Sequence, residues 1–168
     1  DFGVRMKSQH RQAARAKRAE LPKFWRAPLP AVKKLDCKLI HWDLVDRFAN
    51  GTATKDDLWD WIETGLTYSQ IMTLLAADGM TFTDEAQIAI AAQLDTYKAI
   101  TARFVRTGRV GFTGPELLTA RAAASVMDSL IDLDRHGIAE RAAQWSIEVL
   151  GRIRREVYRG MDTQGAKE

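Results

Sequence analysis

At 168 residues, with 46% hydrophobic and 28% charged side chains, the chain is long enough to bury one core and ordinary in composition for a soluble globular protein. No apolar run approaches the roughly 18 residues of a membrane helix, and the basic start is followed by no apolar block of the kind a secretory signal carries. Cys37 stands alone, which excludes an internal disulfide and fits a reducing, cytoplasmic setting.

The net charge of +3 conceals a division. Residues 1–35 carry ten Lys/Arg against two acidic side chains, a balance of +8, whereas residues 36–150 carry ten against seventeen, a balance of −7. The chain reads as an acidic body with a basic arm. Residues 7–20, KSQHRQAARAKRAE, are good helix formers without an apolar stripe, too poor in apolar surface to order alone. Arg5, Lys7, Arg11, Arg15, Lys17 and Arg18 gather near one side of a helix or along a strand. They suit phosphate-backbone binding without base specificity, or an acidic protein surface such as the 56–63 face of another copy.

Residues 21–35, LPKFWRAPLPAVKKL, read as an extended connector, because Pro22, Pro28 and Pro30 push their preceding residues out of helix. Phe24, Trp25 and Leu29 are too apolar for a free linker and are expected to dock on the body or in a partner groove. Phe24, Trp25 and Arg26 are accordingly the candidate partner-binding residues.

From Asp36 the pattern is helical. The first helix is expected over 36–49 with Leu39, Ile40, Val45 and Phe48 inward, stopped by Asn50-Gly51. The second runs over 55–63, opened by Thr54 with Asp57 three residues on, its Asp56, Asp57, Asp60 and Glu63 forming an acidic outer face. A third opens at Thr67, where Gln70 completes a capping box and Leu66 with Ile71 a hydrophobic staple, and ends at Asp78-Gly79. Thr83 caps a fourth, which runs to about 107 through Ile88, Ala92, Leu94 and Ile100. After the Gly-rich stretch 108–114 come two long helices. One spans about 115–135 through Leu118, Ala122, Val126, Leu130 and Leu133, and the other about 138–158 through Ala142, Trp145, Val149 and Ile153. Only His136-Gly137 parts them, which predicts an antiparallel hairpin.

The fold class is thus all-α: a small bundle of about six helices dominated by a C-terminal antiparallel hairpin, with a basic N-terminal arm. Residues 1–35 form the arm and linker, 36–160 the bundle domain and 161–168 a flexible tail.

Four constellations carry candidate chemistry. Residues 65–107 resemble, in spacing and caps, the helix-turn-helix of DNA-binding repressors, over about a quarter of the chain. The would-be recognition helix, however, opens on Asp84 and Glu85 and has no Lys or Arg before Lys98. Asp128, Asp132, His136 and Glu140 share a helical spacing that could ligate a divalent metal, but Gly137 interrupts that face and no second His-bearing helix completes the set. The 108–114 loop, with Arg109 and Pro115, could offer backbone N–H groups to an anion, yet it lacks the Lys-Ser/Thr of a P-loop and follows a helix. Cys37, His41 and Asp43 share one helix without the electropositive exposure an activated thiolate needs. The five Trp residues suit core and interface anchoring better than a ligand cage.

No catalytic residue, cofactor or metal is therefore assigned. The expectation is a non-enzymatic interaction or adaptor protein whose basic arm orders on a protein partner or second subunit. The alternative is a small nucleic-acid-binding regulatory protein with the arm on phosphates. The Ala-rich helical style resembles small proteins of bacterial plasmids and phages.

Overall fold

In the computed structural model the described residues are 27–165, with side chains described through 155. The basic arm positions Arg5 to Arg18, the anchors Phe24, Trp25 and Arg26, and the last residues of the tail lie outside them. The described residues form five helices and no strand: α1 Ala31–Ala49, α2 Lys55–Ala77, α3 Asp84–Thr107, α4 Gly114–Asp132 and α5 Ile138–Gly165.

Helix α1 begins five residues before the expected start. Pro30 stands at its N-cap with extended backbone, so the Pro that was read as connector launches the helix. Its buried face is His41, Leu44, Val45 and Phe48, an i, i+3, i+4, i+7 stripe. Leu39 and Ile40, expected inside, are exposed. Gly51, at φ 70°, ends the helix as expected.

Thr54 opens α2, its backbone N–H donating to Asp57 Oδ2 at 2.6 Å. The separate helix expected from Thr67 does not exist. Residues 55–77 are continuous, and the Thr67 hydroxyl bonds Ser146 of α5 at 2.7 Å instead of capping anything. A side chain that can cap can equally serve an interhelical contact, and tertiary packing decides which. Gly65 stays helical because the backbone of α2 there lies against α3. A Cβ on Gly65 would collide with the side-chain amide of Gln93, which is itself buried and donates to Trp61 O at 2.7 Å. At the far end Gly79, φ 90°, and Met80 return N–H groups to Ala76 and Leu75, a Schellman closure.

The caps of α3 and α4 follow the side chains. Thr83 Oγ1 accepts from Ala86 N, and Thr113 and Glu116 form a reciprocal capping box. Arg103 clamps that box from α3, with Nη1 and Nη2 on the two Glu116 carboxylate oxygens at 3.1 and 2.7 Å. Between them the Gly-rich loop is packed down: Phe112 stacks on Phe48 at 4.9 Å, and its N–H donates to Phe48 O.

The expected dominant hairpin is corrected. α5 lies along α2, whereas α4 lies against α3 and α1, and α4 meets α5 only around their junction. Two successive left-handed residues, His136 at φ 54° and Gly137 at φ 65°, turn the chain away from α4. Asp134 fixes the new direction by accepting from Ala139 N at 2.8 Å.

Two apolar clusters fill the bundle. One joins Leu44, Phe48, Leu58, Trp61 and Ile100 near the α1–α2 turn. The other joins Tyr68, Ile71, Leu75, Met127, Leu130 and Ile138 toward the α4–α5 turn. Of the stripe read for α4, Leu130 is buried and Val126 half-buried as expected, whereas Leu118, Ala122 and Leu133 are exposed and the helix buries Ala120, Ala123, Ala124, Met127 and Ile131.

Candidate functional site

Two features of the described residues stand apart from ordinary packing: a buried polar network between three helices and an apolar outer face on α1.

The network starts at His41, fully buried on α1. Its Nε2 lies 2.8 Å from Asp128 Oδ1 on α4, and its Nδ1 lies 3.2 Å from Tyr68 Oη on α2. Trp42 Nε1 donates to the other Asp128 oxygen at 3.0 Å. Burial lowers the His41 pKa below its ordinary value, against the opposing pull of Asp128. A neutral imidazole matches both contacts, with Nε2–H donating to the carboxylate and Nδ1 accepting the phenolic proton. Burial also pushes the Tyr68 phenol up, so it stays protonated and remains a donor.

In outline, acid–imidazole–hydroxyl is the order of a catalytic relay. Here the chain ends on a phenol buried in the core, whose O–H donates its hydrogen bond to His41 Nδ1. The arrangement ties α1, α2 and α4 together. Lys38 and Lys34 extend the seam, on Asp132 Oδ2 at 2.7 Å and Asp132 O at 2.8 Å, the latter satisfying a carbonyl at the α4 end.

The sequence candidates therefore separate. Asp128 and Asp132 serve α1, His136 sits in the turn, and no group of His, Cys, Asp and Glu among the described residues could hold a metal. Cys37 packs beside the cluster toward the α4–α5 turn, while His41 has both nitrogens engaged elsewhere. The 108–114 loop is pinned by Phe112 and by Arg103 on Gly111 O. Leu29 docks on the body as expected: it packs on the cluster toward the α4–α5 turn, and its N–H donates to Asp134 Oδ2 at 2.7 Å.

The outer face of α1 was not foreseen. Val32, Leu35, Leu39 and Ile40 are 62%, 54%, 60% and 59% exposed, and the first three lie at i, i+3, i+7 opposite the buried stripe. Continuing along that face come exposed Asp43 and Asp46, followed across the α1–α2 turn by exposed Asp56 and Asp60. Cations stand among them as well: Arg47 pairs with buried Asp57 at 2.6 Å and with Asp43 at 3.0 Å, Lys55 is exposed beside Asp56, and Arg154 of α5 lies 4.4 Å over the Trp59 ring, where its charge acts on Asp60. Burial, then the nearby Asp57, raises the pKa of Asp60. The periodicity of residues 32, 35 and 39 against 41, 44, 45 and 48 was the available signal for this face.

A second apolar feature, a shallow groove of about 330 Å³, runs between the start of α3 and the end of α4, lined by Phe82, Ala86, Val126, Leu130 and Leu133 with two serines. No helix among the described residues is long and apolar enough to cross a membrane. Comparison with known protein families, curated proteins and solved structures finds no match to this chain.

Proposed function

We propose that this protein is a non-enzymatic interaction module whose basic N-terminal arm orders on a protein surface, with Phe24, Trp25 and Arg26 as its anchors. The observation that carries the reading is the outer face of α1. Four large aliphatic side chains there stand more than half exposed within a few residues of the arm. Scattered single exposed leucines are ordinary, but a helical row leading into a charged arm is the pattern of a docking surface. The polar side chains support the same reading, because His41, Asp128, Arg103 and Glu116 are engaged in joining helices.

The competing reading places the arm on nucleic-acid phosphates. Its helix-turn-helix component is weakened by the continuity of α2 and by exposed Asp84 and Glu85 at the head of α3. Its electrostatic component rests on the +8 balance of residues 1–35. Affinity purification of the full chain and of a chain lacking residues 1–26, each with and without nuclease, tests both. Stoichiometric recovery of protein through the arm, indifferent to nuclease, is the expected outcome. Arm-dependent recovery of nucleic acid, lost at moderate salt, would replace this reading with the regulatory one.

A further inference from the structure

We infer that the partner is a second copy of this chain, joined through an antiparallel pairing of the two α1 helices that hands each basic arm to the acidic end of the other copy. The inference rests on the reading of the chain as an interaction module and adds the identity and geometry of its partner.

The first argument is the order of residues along one face. From its N-terminus, the outer stripe of α1 reads Val32, Leu35, Leu39, then Asp43 and Asp46. In a two-fold pairing each patch meets its own equivalent in reverse order. With Leu35 near the axis, Val32 of one copy faces Leu39 of the other, and aliphatic surface meets aliphatic surface at both places. Asp36 lies beside the axis with its charge already answered by Lys33 of its own helix, at 3.5 Å. The helix dipoles run in opposite senses in such a pair, which is the favourable sense.

The second argument is charge complementarity beyond the paired turns. The same register brings Asp43 and Asp46 of one copy to the Pro30 end of the other copy's α1, and the sequence ahead of Pro30 holds Lys23 and Arg26. Asp56 and Asp60 extend the acidic surface across the α1–α2 turn, and the sequence further ahead of Pro30 holds Arg18, Lys17 and Arg15. Helix α1 is about 28 Å long, so the acidic end lies a whole helix away from the point where its own arm leaves. Reversing one copy removes that separation.

The test is sedimentation velocity of the full chain over about a hundredfold range of concentration. A species of twice the 18.9 kDa chain mass is expected. Leu39→Asp should raise the dimer dissociation constant about 30-fold or more, as loss of a central anchor does, with an unchanged far-UV spectrum because Leu39 is exposed. Leu118→Asp, at an equally exposed position on α4, should leave the dimer intact. Lys23→Glu with Arg26→Glu should weaken it and flatten its salt dependence. A mass of 18.9 kDa at every concentration, or equal effects of Leu39→Asp and Leu118→Asp, would overturn the pairing. A monomer that still recovers a different protein through its arm would overturn the pairing alone. A monomer that recovers no protein would overturn the interaction reading with it.

Discussion

Gly65 illustrates how one missing methyl group sets the distance between two helices. In the interior of a helix Gly is less favourable than Ala by roughly 1 kcal/mol, yet here the space for a Cβ is taken by the Gln93 amide. Gly65→Ala should therefore destabilise the protein by roughly 1–3 kcal/mol despite its better helix propensity, as overpacking does. Urea unfolding would measure it, and Gln93→Ala in the same chain should recover part of the loss. A simple gain in stability from Gly65→Ala would show that the two helices can separate freely. His41 offers a second residue-scale test. The unfolded imidazole takes up its proton near 6.5, and the folded one only at lower pH, because burial opposes the charge. As pH falls through that window the unfolded state binds more protons, so stability is full above it and declines below, by at most about 1.4 kcal/mol per pH unit. Urea midpoints between pH 8 and 5 should show this slope, and His41→Gln should remove it.

At the scale of elements, what could be read from the chain was whatever neighbouring residues decide among themselves. Thr54 with Asp57, Thr83, Pro115, Gly51 and Gly79 each mark a helix end through local backbone chemistry, and those ends lie where expected. Thr113 with Glu116 carried the same signal and was overlooked. Thr67 with Gln70 imitates a cap inside a continuous helix, because only Ser146, 79 residues away, reveals what Thr67 serves. The faces of α3 and α4 were legible only in part: Ile100 and Leu130 are buried as expected, but Ile88 and Leu118 are exposed, and much of the buried side of α4 is Ala120, Ala123 and Ala124, whose burial depends on how closely α1 and α3 approach. The His41–Asp128 seam spans 87 residues of sequence and had no local trace. Its energetic weight can be measured. Asp128→Ala leaves the Trp42 and His41 N–H groups without their acceptor, and should cost about 1–3 kcal/mol for buried donors left unmade. A loss below about 0.5 kcal/mol in urea unfolding would mean that water replaces the carboxylate at no cost.

Across the whole molecule the two apolar clusters are not separate units, because the same helices supply both. α2 gives Leu58 and Trp61 to one and Ile71 and Leu75 to the other, while α4 gives Ala120 and Ala124 to one and Met127 and Leu130 to the other. Opening either cluster strips one side of α2 and α4, and a helix of 19 or 23 residues holds little structure without tertiary packing. The His41–Asp128–Tyr68 contacts bind the same two helices to α1. These shared elements predict one cooperative transition for the bundle. Ile100→Ala, in the first cluster, and Leu130→Ala, in the second, should each lower stability by about 2–5 kcal/mol, the usual cost of truncating a buried aliphatic side chain. Each should shift the tryptophan-fluorescence and far-UV transitions together, with an unchanged denaturant slope. Because Ile100 and Leu130 are buried inside the bundle and form no part of the exposed α1 face, neither variant should alter the concentration dependence of the sedimenting mass beyond what unfolding explains. If Leu130→Ala instead split the transition, leaving fluorescence near Trp61 unmoved while helix content fell, the clusters would be independent units and α2 would be a hinge between them.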